Sequence, residues 1–360
     1  MQIKYEDCKG VYSKLSFNQE TGAFIMKNTD GDELEYRPVL NLIPEYSPEE
    51  FITLELHNYS EYCTENSIYH VYVGEVRIGW IFPLQALFSI EHGYADNEHF
   101  LKYAYVATYI LLDSLDVTVK YCPPEFVLEE FFEDSSQCML VCDIKNCEKI
   151  PKFSISDYTI SLYKYGYSKH IGEPFELCNL QDGSRRRVTL QPISNELRKE
   201  PFITTLFERQ IPQTSNQIIR FYYLYQIIEI LIDNVFSHQF EGILSLLDKE
   251  NRNLFEIKDK ILTESGEKHR INLLFSDFIS SINSCYRSDV KASCDTFLQK
   301  NGEDSKNSYI DSLYAVRCFL VHRLYGLDYD SLLLLKEVNT SLLAFLIEVL
   351  LNYRTPVEKK

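Results

Sequence analysis

Tyr314-Ala315-Val316-Arg317-Cys318-Phe319-Leu320-Val321-His322 is apolar except at its Arg and its His. Its apolar residues recur at helical spacing. On a helix from about Tyr309 to Tyr325, advancing about 100° per residue, Ile310, Leu313, Val316, Leu320, Val321 and Leu324 fall on one arc. Arg317 lies near the middle of that arc. A guanidinium cannot shed its charge on burial, so it needs an acidic partner or an anionic ligand. His322 lies about 140° around the same helix. Histidine is the side-chain type that titrates near neutral pH unaided. The spacing alone is a weak signal: with 8 His, roughly one Arg-x4–6-His pair arises by chance in a chain this long. The plainer reading is a helix with a structurally paired Arg and a surface His.

The surroundings supply a partner. Asn216 to Ser237 is long and almost apolar, with Ile218, Phe221, Leu224, Ile228, Leu231 and Val235 in one stripe. A second stripe holds Ile218, Tyr222, Tyr225, Glu229, Ile232 and Phe236. Such a helix belongs in a bundle core or an interface. Glu229 is thus a carboxylate among apolar and aromatic residues, and pairing it with Arg317 answers both burial problems. Asp233, one turn on, is a second candidate partner. Further helices are expected over Leu254–Leu262, Ile271–Cys285 and Ser331–Tyr353, with a polar loop at Asn301–Asn307. Together they predict a helical bundle with short connections.

Residues 1 to about 190 read as mixed strand and helix. Phe24–Lys27 and Glu33–Tyr36 flank the turn signal Asn28-Thr29-Asp30-Gly31-Asp32, and Ile68–Val73 and Val76–Phe82 flank Gly74-Glu75, so two hairpins are expected. Glu98–Leu115 is a predicted helix after an Asn97 cap, and Thr159–Tyr167 alternates like a strand. Asp182-Gly183-Ser184, Pro192, Pro201 and Pro212 place a boundary near residues 182 to 215. Arg185-Arg186-Arg187 is either a solvated face or a phosphate-contacting patch at the domain seam. The fold class expected is α+β, with a mixed domain over 1–195 and an all-α bundle over 205–353.

Composition narrows the function. The formal net charge of −17 argues against general nucleic-acid coating, because non-specific binding rests on phosphate neutralisation. A local basic site remains compatible with it. No signal-peptide pattern opens the chain, and the most apolar runs carry Glu229 and Asp233, or Glu348, in their middles, so no membrane association and a cytoplasmic location are expected. Ten Cys without an export signal read as free thiols. Cys138, Cys142 and Cys147, with Cys122 upstream, lack the CxxC pairs and nearby His of a structural zinc site, so no metal and no cofactor are expected.

The C-terminal half, residues 205 to 353, resembles the HEPN family (higher eukaryotes and prokaryotes nucleotide-binding). The resemblance rests on Phe221-Tyr222-Tyr223-Leu224-Tyr225-Gln226-Ile227-Ile228-Glu229 and on Leu313 to His322. It implies a metal-independent endoribonuclease in which Arg317 and His322 form the Arg-x4-His motif, Glu229 is the first-helix acidic residue, and two motifs meet across a homodimer. It also implies a phage-defence or toxin role, with the N-terminal domain sensing a phage or cellular trigger. Active members commonly carry a polar residue after the Arg; this chain has Cys318. The alternative is a non-catalytic HEPN dimerisation or nucleotide-binding module. A third reading is an antitoxin-like partner of a separate nuclease, which the acidic charge would suit.

Overall fold

The computed structural model describes residues 1–6, 10–58, 63–120, 126–132, 136–169, 187–247 and 254–356. It is mixed α and β, as expected, with its sheets early in the chain and its long helices late. The chain forms two compact units. The first begins as Met1–Ser154. The chain then contributes Ile155–Tyr165 to the second unit, returns to the first from Gly166, and continues in the second from Gln191. A single boundary near 182–215 therefore misses one excursion.

Eleven strands are described: β1 (Gln2–Tyr5), β2 (Val11–Asn18), β3 (Ala23–Asn28), β4 (Glu33–Tyr36), β5 (Phe51–Asn58), β6 (Tyr69–Val73), β7 (Val76–Pro83), β8 (Asp116–Val119), β9 (Gln137–Asp143), β10 (Tyr167–Ser168) and β11 (Arg187–Leu190). They make a five-stranded sheet, β4-β3-β2-β1-β8, and a six-stranded sheet, β10-β5-β9-β7-β6-β11. Both expected hairpins form. At the β3–β4 turn, Asn28 Oδ1 accepts from the amides of Asp30 (3.0 Å) and Asp32 (2.8 Å), while Gly31 takes a φ of 93° that an L side chain resists. β6 and β7 pair from Val73 opposite Val76 back to Tyr69 opposite Ile81, with a bulge between Val71 and Tyr72. Pairing sets His70 opposite Trp80 and Tyr72 opposite Arg77, so these four residues share one sheet face. Gly79 admits no side chain: a Cβ there would stand 1.9 Å from the Val141 carbonyl oxygen on β9.

Helix α1 (Glu98–Ser114) begins at Asn97, whose side chain accepts from the Phe100 amide at 2.9 Å. It buries Phe100, Tyr103, Ala107 and Leu111 in an aromatic core, where Phe100 meets Trp80 edge-to-face at 5.5 Å and Phe82 at 5.2 Å. A short helix, α2 (Ile144–Cys147), follows β9 and is capped by Asp143.

The second unit is helical: α3 (Thr159–Lys164), α4 (Pro201–Thr205), α5 (Ile211–Gln213), α6 (Gln217–Leu247), α7 (Leu254–Glu264), α8 (Glu267–Leu273), α9 (Ser284–Lys300), α10 (Tyr309–His322) and α11 (Tyr329–Asn352). α11 packs against α3, α6 and α9, and α10 packs against α9. The stripe Phe221, Leu224, Ile228, Leu231 and Val235 of α6 is buried throughout. No helix is long and apolar enough to cross a membrane, among the described residues.

Two sequence expectations fail here for visible reasons. Thr159–Tyr167 is not a strand: Thr159–Lys164 is helical, and Thr159 through Tyr163 are all buried. Lys164 bonds Glu348 of α11 at 2.5 Å, which supplies the partner that this carboxylate needs in its apolar run. Ile271–Cys285 is not one helix either. α8 ends in a π-helical turn at Leu274–Phe278, and Ile279 then bridges to Tyr353, where the Ser280 amide reaches the Asn352 carbonyl at 3.3 Å. Asn283 then caps a helix, α9, that periodicity did not reveal.

α10 is fixed by a carboxylate on α9. Asp295 is buried, and its Oδ1 accepts from the Ser312 hydroxyl on α10 at 2.6 Å and from the Lys306 amide at 3.3 Å, while Oδ2 meets Lys291 Nζ at 2.6 Å. Burial opposes its charge, yet the hydrogen bonds from Lys291, Ser312 and Lys306 outweigh that and hold the carboxyl below the usual Asp value. A lowered carboxyl pKa stabilises the fold above the unfolded value of about 3.9, and this contribution is lost as pH falls through the folded value. Asp295→Ala is therefore expected to cost about 1–3 kcal/mol at pH 7, from lost charge-assisted bonds. Denaturant unfolding at several pH values should show the gap to the native chain closing in strong acid.

Candidate functional site

α10 starts at Ser308, whose hydroxyl accepts from the Asp311 amide at 3.1 Å and donates to the Asp311 carboxylate at 2.7 Å. Its buried face is Ser312, Leu313, Val316, Phe319 and Leu320. Val321 and Leu324, expected on that arc, are 47% and 43% exposed. Without them the arc's centre moves back, and Arg317 sits on its flank rather than at its middle. The Arg317 side chain is 28% exposed.

Arg317 meets the predicted carboxylate. Its Nη2 lies 3.8 Å from Glu229 Oε1 on α6. Its Cζ is 5.9 Å from the centroid of the Tyr225 ring, one turn earlier on α6. Tyr225 is buried, stacks on Phe221, and donates its hydroxyl to Glu267 Oε1 at the start of α8, at 3.2 Å. Burial and then the Glu267 charge raise the Tyr225 phenol pKa. Burial works against the Arg317 charge, but acidic surroundings led by Glu267 outweigh it, so the guanidinium holds its proton more tightly than usual. Tyr222 donates to the Leu320 carbonyl at 3.1 Å and ties α6 to α10. Cys318, one turn on, raises the Tyr314 phenol pKa.

Asp233 is not the partner of Arg317. It is exposed and pairs with Arg270 of α8 at 2.7 Å. The Arg317–Glu229 pair is also shallower than expected, since the Glu229 side chain is 44% exposed. Sequence reasoning missed Glu267, which lies in a polar stretch without periodicity, and it took Tyr225 only as part of a stripe.

His322 is exposed at the last position of α10. Arg323 beyond it bonds Glu303 at 2.6 Å. Val321 and Leu324, close to His322 in sequence, are exposed, as are Tyr325, at 91%, and Tyr329 and Leu333 in the first turns of α11. Five helical positions separate Arg317 from His322, so they stand about 7.5 Å apart along the axis and about 140° apart around it. The structure thus brings Glu229 to Arg317, and it does not aim His322 at that pair.

Of the other candidates, Arg187 lies on β11 over the Tyr72 ring at 3.9 Å and donates to the Gly74 carbonyl at 2.9 Å; Arg185 and Arg186 fall outside the described residues. Cys138, Cys142 and Cys147 are buried and in no disulfide, and Cys122 is outside the described residues. Among the described residues no group of three or more His, Cys, Asp or Glu is placed to hold a metal ion.

A comparison with protein-family models finds no match, and neither a search of curated proteins nor one of solved structures returns a similar chain.

A half-exposed ion pair contributes little, about 0–1 kcal/mol, whereas a buried one costs about 3–5 kcal/mol to break. Glu229→Gln should therefore lower unfolding stability by less than about 1 kcal/mol in chemical denaturation. A larger loss would mean that Glu229 works as a buried counter-ion.

Proposed function

We propose that the helical unit is an RNA-cleaving module of HEPN type, acting without metal as a homodimer, with the first unit controlling it. One observation carries this reading. Arg317 is oriented by Tyr225 and Glu229, yet among the described residues no hydrogen bond is recorded from its guanidinium. A fork held in place with its donors unspent suits a phosphate oxyanion.

RNA carries its own nucleophile, the ribose 2′ hydroxyl. His322 of one protomer takes the 2′ proton, and the oxygen attacks phosphorus. Arg317 offsets the charge that builds on the phosphoryl oxygens. The partner's His322 protonates the departing 5′ oxygen. Products are a 2′,3′-cyclic phosphate and a 5′ hydroxyl. Glu229 keeps Arg317 in place rather than touching RNA. One protomer supplies a single His322 while the acid and base roles need two, so a second copy completes the site. The exposed apolar residues Val321, Leu324, Tyr325, Tyr329 and Leu333, from the end of α10 to the start of α11, are the surface available for that copy. A defence or toxin role, with a phage or cellular trigger, follows only from the family resemblance.

The second reading is a non-catalytic dimerisation or nucleotide-binding module. Cys318 favours it, since a thiol follows the Arg where active HEPN members commonly carry a polar residue.

End-labelled RNA incubated with the chain in EDTA separates the two. On the nuclease reading, His322→Ala loses about 10²–10⁴-fold in rate, and Arg317→Lys, which keeps charge and loses the fork, loses activity while remaining folded. Tyr325→Arg should shift light-scattering mass toward the monomer and lower cleavage together. Cleavage that survives His322→Ala, or no cleavage at any protein concentration, gives the module reading instead.

A further inference from the structure

The first unit holds a guanidinium with no partner. Arg77 on β7 is half-buried, and its Cζ lies 4.4 Å from the centroid of the Trp80 ring. Its Nη2 is shielded from solvent and has no hydrogen-bond partner, and among the described residues neither a hydrogen bond nor an ion pair is recorded for any of its donors. Trp80 Nε1, in the same face, is also buried without an acceptor. Tyr72, Tyr94 and Tyr103 surround the guanidinium closely enough to interact with its charge. His99, at the start of α1, lies 6.1 Å from the Trp80 ring and 5.4 Å from Tyr103, ring to ring. Nearby acids are otherwise engaged. Asp143 accepts from the Lys145 amide at 2.8 Å and Asn146 at 3.1 Å, and Glu45 is tied to Lys102.

A stacked guanidinium is oriented but not neutralised. Removing it from water without an acceptor is costly, and burial lowers its hold on the proton. An arginine bordered by hydroxyls and an imidazole, with no carboxylate pairing to it, is an anion receptor in chemical terms. Its planar fork matches a phosphate oxygen pair, and the tyrosine rings offer edges for a flat group attached to that phosphate.

We propose that the sheet face carrying Arg77 and Trp80, together with His99, binds a phosphate group, free or carried on a nucleotide. The proposal stands independently of the ribonuclease reading. Arg77, held by its stacking on the Trp80 indole, turns its fork to the phosphate, and His99 approaches from α1. His99 also makes the site pH-sensitive. Burial and then the Arg77 charge lower its pKa, while Lys102 acts in the same sense and Asp143 opposes. A bound anion offsets Arg77 and lets His99 protonate, so binding takes up a proton and tightens as pH falls.

Trp80 is the chain's single tryptophan, so red-edge excitation reads this site alone among 26 tyrosines. Inorganic phosphate and AMP are titrated into the full chain at matched ionic strength, with sodium chloride as the control. A saturable change in Trp80 emission is expected. Tighter binding of AMP than of phosphate would mark a nucleotide, and equal binding the free ion. Arg77→Lys should weaken it by about tenfold or more, the loss expected for charge-assisted hydrogen bonds. His99→Asn, at an exposed position, should weaken binding, and weaken it more at about pH 6 than at about pH 8, so that the tightening on acidification is lost. Circular dichroism verifies that each variant is folded. The proposal is overturned by an absence of saturable change with both probes, by undiminished binding in Arg77→Lys, or by unchanged pH dependence in His99→Asn.

Discussion

An arginine keeps its charge wherever a protein puts it. That constraint organises both sites in this chain. Each guanidinium drawn partly out of water must find a counter-charge, a π face or a ligand. Arg270 takes the first course with Asp233, at 2.7 Å. Arg317 combines the first two, between Glu229 and the Tyr225 ring. Among the described residues Arg77 has the π face of Trp80 and neither a hydrogen bond nor an ion pair. The three differ in how much of the guanidinium remains to be satisfied, and that remainder is what a ligand would answer.

The same constraint explains what the sequence revealed. Two charges in apolar stripes must meet something, so Glu229 and Arg317 were legible as partners before any coordinates. Their depth was not. Val321 and Leu324 were counted with the buried arc because they are apolar, yet both lie in water at the end of α10. An apolar residue on a helix is evidence of burial only if another element covers it, and no local pattern says so. Glu267 was invisible for the converse reason: it reaches the site from a polar helix start, through the hydroxyl of Tyr225.

The fold divides in the same way. Hairpins were readable where the turn dictates its residues, as at Asn28–Asp32, and α1 was readable from its Asn97 cap. α3 alternates apolar and polar residues over six positions, too few to separate a helix from a strand. Its neighbours decided, because a site buried on both sides suits a helix as well as a strand. The Ile271–Cys285 periodicity ran past its helix because Ile279 gains a bridge to Tyr353 that a continued helix would forfeit. α9 was missed because its buried set, Val290, Cys294, Asp295, Phe297 and Leu298, includes a carboxylate that hydropathy counts as exposed. Yet Asp295 anchors α10 to α9, so a residue that hides the helix from the pattern also positions the candidate site.

Electrostatics sets the two sites different tasks. A net charge of −17 repels a polyanion at long range, and added salt relieves that repulsion while it also weakens exposed ion pairs. Arg317 stands beside two carboxylates, so a phosphate arriving there would displace part of an existing balance, and Glu229, half-exposed, can yield. Among the described residues no carboxylate pairs with Arg77. It is shielded by aromatic rings, which lower the local dielectric and lengthen the reach of its charge. The acidic surface would still penalise larger anions, because each added phosphate brings charge toward the protein without a further guanidinium to receive it. Charge balance alone therefore favours small phosphates over polymers at the first unit.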